Sequence, residues 1–473
     1  MNTKIKCLSL FIFSILFTNC RTEQKQEVKN VYKHYQTIDS LISNCHNIGI
    51  FNGNAIVSIK DTTVYNKSFG YIDGSGSEKI DSSSIYSIGS IAKEFNAISI
   101  MILAEKQLLD INDSIDKFNL GLPEWSKQIK IKHLLSYSSG LPGIDYENSH
   151  NNKDVYNNLK SLQKLDFEPG TSYNYNNNSI FLQRRIIEKV SGQKFEDFVT
   201  ENIIKPLELK SAVFDPDSSN KHLVKAFNNE NKNDKTERSP ITGWVHLSNS
   251  DLHNYLISLH SGKIISKESL LILAHTNFQG KQSSLGRCEL NDNQIITHYH
   301  QGSSYNFEAL LYANSTLGLS ITMTTNNKNF KLGEIADAIE NIIQDKPFEM
   351  PKKSVYLTIR EKCYDNVDEG ISYYYELKNQ FPDDYNFSNP SELARVGYKL
   401  IEKDQIKDAI KIFKLLVKEF PDEPYAYDSL GEAYFIDKQY DLALSNYKKA
   451  IALGGTNGNA KKMVDEIEKV KGK

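Results

Sequence analysis

The chain has 473 residues, with 56 Lys and Arg against 59 Asp and Glu, a formal net charge of −3, 39% hydrophobic residues and 24% charged ones. That length and balance describe a globular chain of two or three domains; they exclude a small disulfide scaffold, and the lack of a basic excess argues against nucleic acid as a partner. Cys7, Cys20, Cys45, Cys288 and Cys363 are scattered with no CxxC pair, which argues against a zinc knuckle, a redox dithiol or a disulfide framework.

In chain order, Lys4 and Lys6 precede an apolar stretch from Leu8 to Phe17 that is about half as long as a bilayer span, and Cys20 follows at once. Residues 1–20 therefore read as an export signal. The segment is similar to a bacterial lipoprotein signal, in which the Cys becomes the lipidated first residue. Phe17 and Asn19 stand where that pattern has Leu and a small residue, and an ordinary cleaved signal with an incidental Cys is the alternative. The expectation is a protein carried across the bacterial inner membrane to the periplasm or envelope, touching the membrane only through a lipid anchor at Cys20.

Beyond a polar tether, Val31, Tyr35, Ile38, Leu41 and Ile42 recur near helical spacing and predict an amphipathic helix over Val31 to Ile48. Asn54 to Lys60 and Thr63 to Phe69 alternate and are β-branched, which predicts a hairpin. From Tyr86 the pattern turns helical, with Ile91, Phe95, Ile98 and Ile102 on one stripe, and helices dominate to about residue 210. The polar runs Asn148 to Asn158 and Asp215 to Glu237 read as solvated surface excursions. Strands are expected at Gln294 to Tyr299, Phe307 to Ala313 and Leu319 to Thr325, then a helix from about Leu332 to Gln344. This order favours an α/β domain over residues 27–345 whose antiparallel sheet joins both ends of the domain.

Asp345 to Lys353, with two prolines and three lysines, reads as a linker. Beyond it the chain repeats. Leu393, Gly397, Ala409 and Phe413 fall at the same offsets from Pro390 as Tyr427, Gly431, Ala443 and Tyr447 do from Pro424. The prolines are 34 residues apart, the tetratricopeptide period, and a degenerate copy starting at Pro351 places Gly370, Tyr374 and Leu377. Residues 351–473 are thus expected to be an all-α tetratricopeptide domain, able to hold a peptide or protein partner in a groove or to brace the first domain.

Serine is a poor nucleophile until a neighbouring base takes its proton, and a Lys three residues on stands over it on one helix face. Ser-x-x-Lys occurs at Ser90, Ser114, Ser161, Ser191, Ser218 and Ser445, so context must choose. Ser90 follows Gly89, which permits close backbone approach, and opens the most apolar helix of the chain; Lys93 would be carried inside with it, and burial would lower its pKa. The alternative for Ser90 is a helix cap beside a solvated lysine.

The run Tyr86-Ser-Ile-Gly-Ser-Ile-Ala-Lys-Glu-Phe95, then Ile131-Lys-His-Leu-Leu-Ser-Tyr-Ser-Ser-Gly-Leu-Pro-Gly143, then Glu168-Pro-Gly-Thr-Ser-Tyr-Asn-Tyr-Asn-Asn177, resembles the class C β-lactamase and D-Ala-D-Ala carboxypeptidase family, which also includes esterases. The likeness runs from about residue 50 to 327. It implies a β-lactamase-like fold, an antiparallel sheet flanked by helices with an all-helical subdomain, and an acyl-enzyme mechanism with no cofactor on a small-molecule or peptide substrate. The family's Tyr-x-Asn falls on Tyr175, Asn176 and Asn177. Tyr175 could ionise beside a protonated Lys93 and share its role as base, and Asn177 could donate to a substrate carbonyl while accepting from Lys93. Where lactam-hydrolysing members carry Lys-Thr-Gly, this chain has His300-Gln301-Gly302, followed by Ser303. Gly302 would let substrate lie along the strand, and the backbone N–H groups of Ser303 and Ser90 would form an oxyanion hole. His300 puts a titratable group where the family has a permanent cation, expected to bond Tyr175 or the substrate.

His298 and His300 share a strand face as metal ligands would, but no third ligand at a recognisable spacing accompanies them, so no metal is expected. His133 is expected to pack or cap. The altered third motif leaves two rivals to the hydrolase: a catalytically silent protein that binds cell-wall peptides or β-lactams and signals through its repeats, and a scaffold in which only the repeats matter.

Overall fold

The computed structural model describes residues 33–217, 219–235, 239–455 and 458–471. The expected export signal, Cys20, and the first residues of the expected domain at 27 lie outside them. The chain divides into two compact units that meet at Met350 and Pro351.

In the first unit a helix, α1, spans residues 33–47 where Val31 to Ile48 predicted one. The predicted hairpin forms as β1 (Gly53–Ile59) and β2 (Thr62–Ser68), paired from Asn54 opposite Ser68 to Ile59 opposite Thr62. Lys60 and Asp61 at its tip have φ of 47° and 62°, the left-handed pair that matches strand twist in a two-residue turn. Then come β3 (Ile85–Ser87), a 3₁₀ turn (Gly89–Ile91), α2 (Ala92–Glu105), α3 (Ile131–Leu135), α4 (Asn152–Ser161), α5 (Asn177–Ser191) and α6 (Phe195–Val199). β4 (Val213–Phe214), β5 (Val245–Ser248), α7 (Asn249–His260) and α8 (Lys267–His275) follow, then β6 (Arg287–Asn291), β7 (Gln294–Ser304), β8 (Phe307–Asn314), β9 (Leu319–Thr325) and α9 (Leu332–Ile343).

Among the described residues six strands form one antiparallel sheet in the order β2-β1-β9-β8-β7-β6, and β3-β5-β4 form a second. β1 pairs with β9 from Gly53 opposite Thr325 to Ile59 opposite Leu319, so the sheet does join the two ends of the unit. Its two faces are both covered. Leu310 points into a core with Ile38 and Leu41 of α1 and Ile335 and Ile339 of α9, whereas Ala309 and Leu311 belong to a core with Phe95 of α2 and Leu252 and Leu256 of α7. Burial on both faces explains why β8 reads as a nearly continuous apolar run. α2 is enclosed as completely, with every residue from Ala92 to Leu103 buried.

Three expectations need correction. Tyr86 lies in a short strand paired with β5, because its side chain is buried with Ile80 and Val224 and its hydroxyl donates to Asn54 Oδ1 at 2.5 Å. The polar run from Asn148 enters a helix: Asn151 caps α4 by accepting from the N–H groups of Lys153 and Asp154, and Val155 and Leu159 are buried beneath it. The run from Asp215 is anchored and not merely solvated. Val224, Ala226 and Phe227 are buried, and Asp234 accepts from both the backbone and the side chain of Asn306 in the β7–β8 turn.

The second unit consists of α10 (Val355–Asp365), α11 (Val367–Gln380), α12 (Pro390–Glu402), α13 (Ile406–Glu419), α14 (Pro424–Ile436), α15 (Tyr440–Ala452) and α16 (Gly458–Lys471). Pro390 and Pro424 occupy the first positions of α12 and α14, where proline's missing N–H costs nothing. A Cβ on Gly397 would lie 2.5 Å from the Phe413 ring, and one on Gly431 3.0 Å from the Tyr447 ring, so the same two offsets carry a close helix–helix contact in both copies. Among the described residues no helix is long and apolar enough to cross a membrane.

Candidate active site

The 3₁₀ turn between β3 and α2 carries Ser90, and it exists because β7 passes directly against it. Gly89 has φ +53°, and a Cβ there would lie 2.3 Å from the Ser303 nitrogen; one on Gly302 would lie 2.0 Å from the Ile88 carbonyl oxygen and 2.7 Å from the Ser90 nitrogen. Any side chain at either glycine would push the strand off the turn. The backbone nitrogens of Ser90 and Ser303 are thereby brought to one place, although 213 residues separate them in the chain.

Lys93 sits in the first turn of α2 and is only 4% exposed. Its Nζ donates to Ser90 Oγ at 2.9 Å and to Tyr175 Oη at 2.5 Å, and Ser90 Oγ lies 2.8 Å from Tyr175 Oη. Three side chains predicted from distant motifs thus close a triangle within hydrogen-bond reach. Tyr175, just ahead of α5, leaves its ring edge in solvent and turns its hydroxyl inward; Tyr137 packs against the ring with centroids 4.6 Å apart. None of the other described Ser-x-x-Lys serines is so placed: Ser114, for instance, caps a 3₁₀ turn and donates to main-chain oxygens.

Burial, and then the Arg184 guanidinium, bring the Lys93 amine down to about 7. Burial pushes the Tyr175 phenol up to about 12, against the hydrogen bond with Ser90 that pulls the other way. This reverses the expected ionisation of Tyr175. With the lysine at about 7 and the phenol at about 12, the group ready to accept a proton near neutral pH is the Lys93 amine, and Tyr175 stays a phenol.

Asn177 opens α5 beside the triangle, but its side chain does not accept from Lys93 as expected. Its Nδ2 donates to Tyr146 Oη at 2.6 Å, and its Oδ1 is buried without a hydrogen-bond partner. His300 also departs from expectation. It is 1% exposed, its Nδ1 lies 2.7 Å from Glu94 Oε1 and its Nε2 3.3 Å from Gln282 Nε2, so it bonds neither Tyr175 nor open solvent. The reason is Glu94, a carboxylate carried into the core one residue after Lys93 and claimed by the strand beside it. His133, as expected, caps: its Nδ1 accepts from the Lys130 N–H at the start of α3.

Sequence reasoning missed Glu94 and its surroundings. Glu94 Oε1 also lies 3.2 Å from His298 Nε2, and Tyr255 of α7 donates to Glu94 Oε2 at 2.9 Å. Burial alone would raise the Glu94 carboxyl, yet His298 and His300 outweigh it and hold it at about 2. Burial works to keep His298 neutral, but Glu94 raises it; His300 is lowered, first by burial, with Glu94 opposing and His298 and Lys93 adding to the fall. The signal was present as a Glu inside the most apolar helix together with the His-x-His pair read only as a metal candidate. Among the described residues no group of His, Cys, Asp and Glu is arranged to hold a metal ion.

Residues 38–342, more than half of the chain, match the Beta-lactamase family. The chain is 32% identical to Penicillin-binding protein 4* of Bacillus subtilis over 187 residues, 38% of this chain and 40% of that protein. It is 25% identical to Protein flp of Staphylococcus aureus over 317 residues, 62% of this chain and 63% of that one. The chain therefore spans less than two thirds of either curated relative. In fold it is similar to a class C beta-lactamase, with a TM-score of 0.56 at 15% identity, covering 66% of this chain and 96% of that one. An antiparallel sheet flanked by helices, a Ser-x-x-Lys turn facing a Tyr-x-Asn loop, and this match over most of the first unit lead to one conclusion: the chain belongs to the Beta-lactamase family.

Proposed function

We propose that this chain is an exported serine hydrolase that transfers an acyl group from an ester or amide to Ser90 and then to water, of the esterase or D-amino-acid peptidase type. One observation carries the reading: Ser90, Lys93 and Tyr175 close a triangle of 2.9, 2.5 and 2.8 Å around an amine that titrates near neutrality. A triangle of that kind has no structural purpose that a cheaper set of side chains would not serve.

The neutral Lys93 amine accepts the Ser90 proton as Oγ attacks the carbonyl carbon; the new C–O bond forms while the carbonyl pair moves onto oxygen. The Ser90 and Ser303 N–H groups face that oxygen and stabilise its charge as it develops. When the intermediate collapses, the leaving group departs with the proton, passed from Lys93 through the Tyr175 hydroxyl. Water then attacks the acyl ester, again deprotonated by Lys93, and acid and free Ser90 result. With His300 buried against Glu94, no permanent cation stands at the position where Lys-Thr-Gly members carry one. That favours esters and amides that do not present a carboxylate there.

The contact of Tyr146 with Asn177 favours the second reading, a protein that binds cell-wall peptides or β-lactams without turnover, because it occupies the amide that a substrate carbonyl would use. Incubation with a fluorophosphonate or a penicillin, followed by intact-mass measurement, separates them. An adduct on Ser90 together with hydrolysis of a p-nitrophenyl acylate supports the enzyme, and reversible binding with no adduct supports the sensor. The tetratricopeptide reading of the second unit, with a peptide or protein partner, and the lipid at Cys20 stand on the sequence; the mass of the N-terminal peptide after expression in a bacterial host tests the latter.

A further inference from the structure

Beneath the triangle a hydrogen-bonded chain crosses the fold. His260 Nε2 of α7 meets His298 Nδ1 at 3.0 Å, His298 Nε2 and His300 Nδ1 both meet Glu94 Oε1, and His300 Nε2 meets Gln282 in the loop before β6. The Gln282 carbonyl then accepts from Tyr173 Oη at 3.0 Å, two residues ahead of Tyr175. One chain of contacts therefore reaches each segment that supplies a catalytic group: α2 with Lys93, directly after the turn that carries Ser90, β7 with Gly302 and Ser303, and the loop with Tyr175. Glu94 is its hub, fully buried, adjacent in sequence to Lys93, and the only described residue whose carboxylate ties α2 to both histidines of β7. A buried carboxylate is expensive unless paired and fully hydrogen-bonded, and a hydrophobic residue of similar size would fill the same core at less cost. Its placement thus asks for a role other than stability.

We propose that Glu94 is a positioning residue of the hydrolase: by holding His298 and His300 it fixes β7 against the Ser90 turn, so that the Ser303 and Ser90 N–H groups converge on the oxyanion. The inference rests on the hydrolase reading and assigns the geometry of its oxyanion hole to a side chain that touches no substrate. Facing Glu94 are Tyr255 and His260 from α7, Cys288 from β6, and His298 and His300 from β7. Lys93 points to Ser90 and Tyr175, which leaves the two β7 histidines as the groups through which Glu94 acts.

The test uses the full chain and the variants E94Q and Y255F, with a p-nitrophenyl acylate as substrate and phenylboronic acid as a probe that becomes tetrahedral on the nucleophile. E94Q is expected to lower kcat about 100-fold with KM changed less than threefold, the size of effect seen when an oxyanion donor is lost or misplaced. Phenylboronic acid affinity should fall in parallel with kcat/KM, a correspondence that a merely structural role would not produce. Y255F, which keeps the carboxylate and both histidine contacts, should retain kcat within about threefold. E94Q with near-normal kcat, or with a loss of turnover that boronate affinity does not follow, overturns the proposal. The low-field Nδ1–H resonance of His300 in ¹⁵N-histidine-labelled protein keeps the two readings apart. If the parent shows it, E94Q abolishes it, and yet the parent neither turns over ester nor binds boronate, the hydrolase reading is what has failed; if the parent is active and lacks it, the positioning role has failed.

Discussion

The Ser90 hydroxyl is an ordinary alcohol until the Lys93 amine is neutral. Because burial and Arg184 bring that amine to about 7, kcat/KM should rise with pH through about 7 as the ammonium loses its proton, and stay high until far above neutrality, since Tyr175 is held at about 12. A pH–rate profile with no limb between pH 6 and 8 would contradict the assignment. Replacing Ser90 by Ala should abolish measurable turnover, checked on purified protein with an activated ester. Gly302→Ala should cost 100-fold or more in kcat while leaving the fold intact by circular dichroism, because its methyl group would enter the Ile88 carbonyl and lever the Ser303 N–H away from the oxyanion. At this scale the meeting of Ser90, Lys93 and Tyr175 in one cluster was legible from motif context. The protonation of Tyr175 and the partner of His300 were not, since each depends on a neighbour far away in the chain: Glu94 lies 206 residues from His300.

Elements decide which of these groups meet. The loop ahead of α4 brings Tyr146 onto Asn177, and the hydroxyl competes with a substrate carbonyl for one amide. Tyr146→Phe should therefore lower KM for amide substrates by about two- to tenfold with little change in kcat, the worth of one hydrogen bond, as read by steady-state kinetics. The hairpin of β1 and β2 and the strands β7 to β9 were legible as β-branched or nearly continuous apolar runs, and the helix α9 because it buries one face whose period the sequence displays. β3, β4 and β5 were not: strands of two to four residues offer too few positions for a period to show, and they exist only because they pair with one another. The cap at Asn151 and the anchor at Asp234 escaped notice for a related reason. Asn and Asp read as surface residues until the N–H groups they serve are located.

For the molecule as a whole, pH links these local shifts to stability. Burial pulls His246 and His253 down to about 4 and His260 to about 3, from a usual value of 6.5. The unfolded chain therefore binds protons first, so these residues contribute stability above pH 6.5 that is lost progressively as pH falls toward 4 and 3. Glu94, held at about 2, adds stability above its usual value of 4.5 that is lost as pH drops toward 2, whereas His298, raised, works in the opposite sense and loses its contribution as pH rises past its folded value. The sum predicts a melting temperature that falls steadily from pH 7 to pH 4, measured by differential scanning calorimetry; a rise over that range would contradict it. By itself the sequence pointed to two units, to two copies in the second whose matching residues lie 34 apart, and to Ser90 as the candidate serine, because periodic burial and fixed short-range spacing are local properties that survive in a linear string. Only the tertiary structure decided which base is neutral, what holds His300, and how a strand far down the chain meets the Ser90 turn, because desolvation and charge depend on what is packed alongside, and those neighbours are chosen by the fold and not by adjacency in the chain.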